Sequence, residues 1–188
     1  MAGRRLALTF LFCVIALHTP GNALAQNVKS TYDKTANFKK LKKYKWGSNY
    51  LLTRQRPEDQ ARINLAIVDS INRDLQAGGF VMDQETPDFI IIYEAGSLPK
   101  SDVGPQRDLT VTDMVNYSWG NLGGITSDVW AYSLAKMKIT VTDATTKTPI
   151  WVALASMRIH NPNKLMENLK QSVDKYIQKT MKDFPPKK

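Results

Sequence analysis

The stretch of sequence that decides the fold is DFIIIYEA, from Asp88 to Ala95. Five consecutive apolar residues lie between its two acids, and three of them are β-branched isoleucines. Such a run is typical of a buried β-strand. We therefore predict a central strand that is covered on both faces, with the other elements arranged around it.

A β-hairpin is predicted on the C-terminal side of this strand. Apolar residues alternate with Lys and Thr from Ala135 to Val141, which indicates a strand with one wet face. The turn-rich residues 143–149 follow, and Ile150 to Ile159 forms the partner strand. Between the central strand and this hairpin, residues 96–106 are predicted as a loop and the alternating residues 109–119 as a further strand.

An amphipathic helix is predicted on the N-terminal side. Pro57 suits its first position, Gly78 and Gly79 suit its end, and short strands are expected at residues 28–32, 42–46 and 80–82. Apolar residues recur there at helical spacing. They are Ile63, Ile67, Ile71 and Leu75.

A second amphipathic helix begins after Asn161 and Pro162, continues at helical spacing to Phe184, and ends before Pro185 and Pro186. The order of strand, helix, several strands and helix predicts an α+β fold. We expect a single domain with a mainly antiparallel sheet and two amphipathic helices packed on one face.

The first 25 residues have the pattern of a secretory signal peptide. Arg4 and Arg5 precede a 12-residue apolar run, and small residues precede a cleavage point after Ala25. Twelve helical residues span about 18 Å, short of a hydrocarbon core of about 30 Å. Cys13 follows Phe12, where lipidation requires a small residue. We expect a cleaved signal peptide (1–25) and one periplasmic domain (26–188) that is not a lipoprotein.

Removal of the signal peptide changes which reactive side chains the protein contains. The chain has 188 residues, 26 Lys and Arg, 17 Asp and Glu, one Cys, two His and a net charge of +9. Without residues 1–25 it has no Cys, and His160 is its one imidazole. Thiolate, disulfide and His-rich metal chemistry are therefore excluded. We predict no cofactor, no metal site and no transmembrane segment after cleavage.

Several segments together carry a family resemblance. They are VKSTYD (28–33), Phe38, YKW (44–46), RI (62–63), AI (66–67), Leu75, GGF (78–80), PDFIIIY (87–93), ITVTD (139–143), PIW (149–151) and FPP (184–186). The chain resembles the bacterial domain-of-unknown-function family numbered 4136, whose members are exported or lipid-anchored envelope proteins. That resemblance implies a compact α+β envelope domain and no catalytic residues.

Catalytic patterns are weak in this chain. A G-x-S-x-G nucleophile motif is absent, and His160 falls between a strand and a helix cap. Glu94 and Asp113 are the candidates for carboxylate chemistry, but Asp113 in an apolar register fits a bulge or a structural hydrogen bond better. We predict that the protein is not an enzyme.

Two candidate contact regions remain. Gly120, Gly123 and Gly124 lack a phosphate-loop pattern, so we expect a mobile loop flanked by Trp119 and Trp130 that could serve in recognition. Positive charge is concentrated at residues 27–46, with seven bases and one acid, and at residues 158–188, with eight bases and three acids.

Lys39, Lys40, Lys42 and Lys43 are the candidate contacts for an anionic surface. Export argues against nucleic acid, which leaves anionic lipid or an acidic polymer as the partner. The alternative is a solvated lysine-rich surface with no partner.

The sequence thus favours a non-catalytic periplasmic or cell-envelope protein, acting as a binding or structural module for an unidentified envelope partner. The alternative is a small apolar-ligand or lipid-binding protein that uses space between sheet and helices. A pocket large enough for a ligand would distinguish the two. A carboxylate-dependent envelope hydrolase is the third possibility.

Overall fold

A computed structural model describes residues 26–52, 56–100 and 132–186, which form one sheet and a layer of helices. The strands are β1 (Gln26–Tyr32), β2 (Lys43–Trp46), β3 (Tyr50–Leu52), β4 (Val81–Met82), β5 (Phe89–Lys100), β6 (Tyr132–Asp143) and β7 (Pro149–Ile159). The helices are α1 (Pro57–Ala77), α2 (Pro162–Glu167) and α3 (Leu169–Met181), with a 3-10 turn at Phe38–Lys40. Within those ranges, no helix combines the length and the apolar character that crossing a bilayer requires.

The strand order is β1-β7-β6-β5-β2-β4, and β3 pairs with β5 farther along that strand than β2 does. Strands β1, β7, β6 and β5 pair antiparallel, whereas β2, β3 and β4 are joined by parallel pairing. Parallel pairing arises here because α1 carries the chain back between β3 and β4, which a tight hairpin cannot do. The predicted α+β fold with a mostly antiparallel sheet is confirmed.

Some predicted boundaries were wrong. Strand β5 continues to Lys100, where a loop had been expected from Gly96, because each of its residues pairs with β6. The helix predicted from Pro162 is divided at Asn168 into α2 and α3. Strand β3 was not predicted, and the strand expected at residues 109–119 lies outside the described residues.

The central strand β5 is buried on only one face, so the prediction of cover on both faces was wrong. Phe89, Ile91 and Tyr93 are fully buried, whereas Ile90 and Ile92 are half-buried. The reason is that the helices share the face of the sheet that carries the buried residues. We call the opposite face, with residues 90, 92 and 94 of β5 and their lateral neighbours, the open face.

The core has two unlike ends. At the aromatic end, Phe184 contacts Phe80, Phe89 and Trp151, with ring centroids 5.2–5.8 Å apart. At the aliphatic end the buried side chains are smaller or unbranched. Those on the strands are Ala95, Met137, Met157 and Ile159. On the strands, large rings therefore fill one end of the core, and Ala, Met and Ile occupy the other.

Candidate functional site

The aliphatic end of the core contains a cavity of about 110 Å³ between the sheet and the three helices. An apolar cavity of about 150 Å³ accommodates benzene, so this smaller volume suits a group below that size, such as a short alkyl chain. The side chains that line it come from every helix and from β3, β5, β6 and β7. They include Leu51, Ile63, Ile67, Ala95, Ser97, Ala135, Met137, Met157, Ile159, Leu165, Met166, Leu169, Ser172, Val173 and Tyr176.

The cavity follows from the side chains that the strands place toward the helices. At the aliphatic end, the core-facing residues include Ala95 on β5 and Ala135 on β6. At the aromatic end, the same two strands carry the larger Phe89 and Val141. Because protein interiors are otherwise close-packed, a pair of alanines opposite helices leaves space. Three methionines complete the lining, and Met side chains adapt to the shape of what they contact.

Polar groups in the lining are few. They are the hydroxyl groups of Ser97, Ser172 and Tyr176. Burial raises the pKa of the Tyr176 phenol far above its usual value, so this group stays neutral. Lys136 also borders the cavity, but its side chain belongs to the open face because Met137 faces the core. The site can bind an apolar group by burial and offers hydroxyls for its polar end.

The structure describes one of the two sequence-predicted acids. Glu94 lies on the open face in an ion pair with Lys138, at 2.7 Å from Oε2 to Nζ. Asp113 lies outside the described residues. His160 is exposed between β7 and α2. Among the described residues, no group of three His, Asp or Glu side chains is arranged to hold a metal ion.

The four predicted contact lysines lie on and after the 3-10 turn, where carboxylates accompany them. Lys43 donates to Asp83, with Nζ 2.8 Å from Oδ2, and this hydrogen bond holds the pKa of Asp83 far below its usual value. Lys40 lines a groove of about 360 Å³ whose lining also includes Asp33, Asp88 and Asp143. Lys39 and Lys42 are exposed. Trp119 and Trp130 lie outside the described residues.

The carboxylates of that groove fix loops. Asp88 accepts hydrogen bonds from the backbone N–H groups of Lys42 and Lys43, at 2.7 and 2.8 Å. Asp143 accepts from the N–H groups of Thr145 and Thr146 in the turn after β6. Backbone donors hold the pKa of Asp143 below its usual value, with that of Thr146 contributing most. These acids therefore have local structural partners.

A family described as "Domain of unknown function (DUF4136)" has a model that matches residues 28–186. The chain belongs to this family. The resemblance inferred from the sequence is thereby confirmed, and the match extends from within β1 to the residues after α3. No curated protein matches the chain in sequence.

Solved structures resemble this DUF4136 protein at low identity, one of them with a TM-score above 0.5. A PDZ domain protein from Parabacteroides distasonis has a TM-score of 0.54 and 16% identity over 87% of this chain, which spans only 37% of that protein. A PelC dodecamer from Paraburkholderia phytofirmans has a TM-score of 0.44 and 8% identity, covering 80% and 96% of the two chains. A minor lipoprotein from Acinetobacter baumannii has a TM-score of 0.34 and 12% identity, covering 76% and 91%.

Proposed function

We propose that this DUF4136 protein is a non-catalytic binding module of the bacterial cell envelope, and that it binds an apolar group in the cavity at the aliphatic end of the core. The observation that carries the proposal is the 110 Å³ cavity with its apolar lining. Export to the periplasm is supported by the signal-peptide pattern of residues 1–25.

The lining supports binding more than catalysis. General acid–base chemistry needs groups whose pKa lies near the working pH. The titratable phenol of Tyr176 has its pKa raised by burial, and the other hydroxyls of the lining belong to Ser97 and Ser172. Burial of an apolar group contributes about 0.8 kcal/mol per CH₂, or about fourfold in affinity. Affinity should therefore rise with alkyl length until the cavity is full.

A homologous series of n-alkanols, from butanol to decanol, tests the proposal. The protein exported with its own leader is purified, and each alkanol is titrated by isothermal calorimetry. We expect about fourfold tighter binding per CH₂ over the first members, followed by a plateau. No saturable binding by any member would refute the proposal and leave a purely structural module.

The cavity-filling variant Ala135→Leu assigns the binding to this site, and Ala135→Val is a milder version if Leu does not fit. Both should abolish alkanol binding while the far-ultraviolet circular dichroism stays native. The matched control is Ala61→Leu, which adds the same side chain at an exposed position on α1. Equal loss of binding in the control and the cavity variants would count against the cavity.

A further inference from the structure

We propose that the open face of the sheet binds an anionic phospholipid bilayer. The proposal rests on residues outside the cavity lining, apart from Lys136 at its border, and is independent of what the cavity holds. It also differs from the sequence-predicted lysine cluster, of which only Lys43 belongs to the open face.

Charge is segregated between the two layers of the molecule. Among the open-face strand residues whose side chains the structure describes, there are six bases and one acid, Glu94, which is paired with Lys138. Lys43 is paired with Asp83, just after β4. The bases are Lys29, Lys43, Lys45, Lys136, Lys138 and Arg158. Helices α1, α2 and α3 together have six bases and six acids. The excess positive charge of the described elements therefore lies on the side of the sheet that the helices leave uncovered.

Strand register sets the spacing of these charges. Lys29 pairs with Leu154, Leu154 with Lys138, and Lys138 with Glu94, so four side chains form one row across β1, β7, β6 and β5. Adjacent strands lie about 4.8 Å apart, which puts Lys29 and Lys138 about 10 Å apart with Leu154 between them. Lys136 is two residues from Lys138 on the same side of β6. Several lipid phosphates can be reached at once from such an array.

Exposed apolar side chains favour a bilayer over an acidic polymer as the occupant. Leu154, at the centre of the basic row, is 50% exposed, and Tyr50, opposite Glu94, is 64% exposed. A bilayer interface accepts Leu and Tyr at headgroup depth, while long lysine stems extend their ammonium groups to the phosphates. An acidic polymer offers charge but no apolar layer for Leu154.

Vesicle binding tests the proposal, with vesicles of 30% phosphatidylglycerol in phosphatidylcholine against pure phosphatidylcholine. We expect co-sedimentation of the exported protein with the anionic vesicles at 50 mM NaCl, and its loss at 500 mM. The open-face triple variant Lys29→Gln, Lys45→Gln, Lys136→Gln should bind about 100-fold more weakly, because each lysine near an anionic surface contributes about fivefold.

The matched control removes the same net charge from the helices, as Lys164→Gln, Lys175→Gln, Lys179→Gln. It should lose no more than about fivefold. Leu154→Ser should weaken binding at 50 mM NaCl with little change in the melting temperature, since Leu154 is 50% exposed. Equal losses in the two triples, or no binding at 50 mM NaCl, would overturn the proposal. The proposal would also be overturned if the protein were a dimer in sedimentation equilibrium and the open-face triple variant were a monomer, because a second copy would then occupy the face.

Discussion

Arg73 on α1 and Asp174 on α3 are joined by two hydrogen bonds, from Nη2 to Oδ1 at 2.6 Å and from Nη1 to Oδ2 at 3.2 Å. Burial alone would raise the pKa of Asp174, but hydrogen bonds from Arg73, Lys170 and Ser70 outweigh it and hold the pKa below its usual value. The pair therefore ties the two long helices together through a forked, charge-assisted contact.

We expect Arg73→Ala to lower the free energy of unfolding by about 1 kcal/mol at pH 7, since the pair is partly exposed to solvent. A carboxyl group with a lowered folded-state pKa contributes stability above its unfolded pKa and loses it as pH falls. The effect of Arg73→Ala should therefore shrink from pH 5 to pH 2 in urea titrations. Arg73→Lys keeps the charge but loses the forked contact, so its free energy of unfolding should lie between those of the wild type and Arg73→Ala. A loss independent of pH would contradict this account.

Asn72 on α1 anchors the helix to β2. Its Oδ1 accepts hydrogen bonds from the Tyr44 hydroxyl and from Trp46 Nε1, both at 2.9 Å. We expect Asn72→Ala to cost about 1–3 kcal/mol of unfolding free energy, because it leaves these donors unpaired in the interior. The Trp46 emission should shift as the local readout. Asn72→Asp keeps an acceptor and serves as the control; equal destabilisation by both variants would speak against the hydrogen bonds as the cause.

Gly47 lies against the open face of the sheet at β5. A Cβ at Gly47 would be 2.5 Å from Ile92 Cγ2 and 3.1 Å from Ile90 Cγ2. Because Cγ2 of a β-branched residue in a strand cannot swing aside, we expect Gly47→Ala to destabilise the protein by about 1–3 kcal/mol. In a double-mutant cycle, Ile92→Ala should relieve most of that cost. Additive losses would show that the clash is not the cause.

Tyr93 gives the protein an alkaline limit. Burial raises the pKa of its phenol to about 12, and its hydroxyl donates to Asn64 Oδ1. The unfolded phenol ionises near pH 10, so the stability present below pH 10 is lost as pH rises toward 12. Tyr93→Phe should flatten the decline in unfolding free energy between pH 10 and pH 12. Burial also raises the pKa values of Tyr44 and Tyr176, which contribute to the slope that remains. An unchanged slope would rule out Tyr93 as a contributor.

Local patterns allowed the sequence to predict part of this fold. The period of α1 and the alternation along β6 and β7 are carried by neighbouring residues, so these elements were found. The extension of β5 past Gly96, the short β3 and the parallel pairing depend on partners far along the chain. A break at Asn168 within one helical period had no local signal strong enough to show it.

Residue spacing along the sequence predicted neither the cavity nor the open face. The cavity exists because Ala95 and Ala135 are small at positions that only the sheet brings together. The sequence identified the wet face of β6, with Lys136 and Lys138, but strand register was needed to group it with Lys29 on β1. Charge counted along the chain identified residues 27–46, which include Lys29, Lys43 and Lys45, but did not show that these share a face with the lysines of β6.

Because the two ends of the core differ, substitutions at one end affect mainly folding stability and substitutions at the other affect mainly the shape of the cavity. Substitutions among the rings around Phe184 are limited by their effect on folding stability, because Phe184 contacts several rings. Substitutions at Ala95, Ala135 and Met157 instead resize a pocket at modest cost in packing. A library of apolar residues at those three positions should therefore still fold while its ligand preference diverges, which makes the scaffold a starting point for engineered small-molecule receptors.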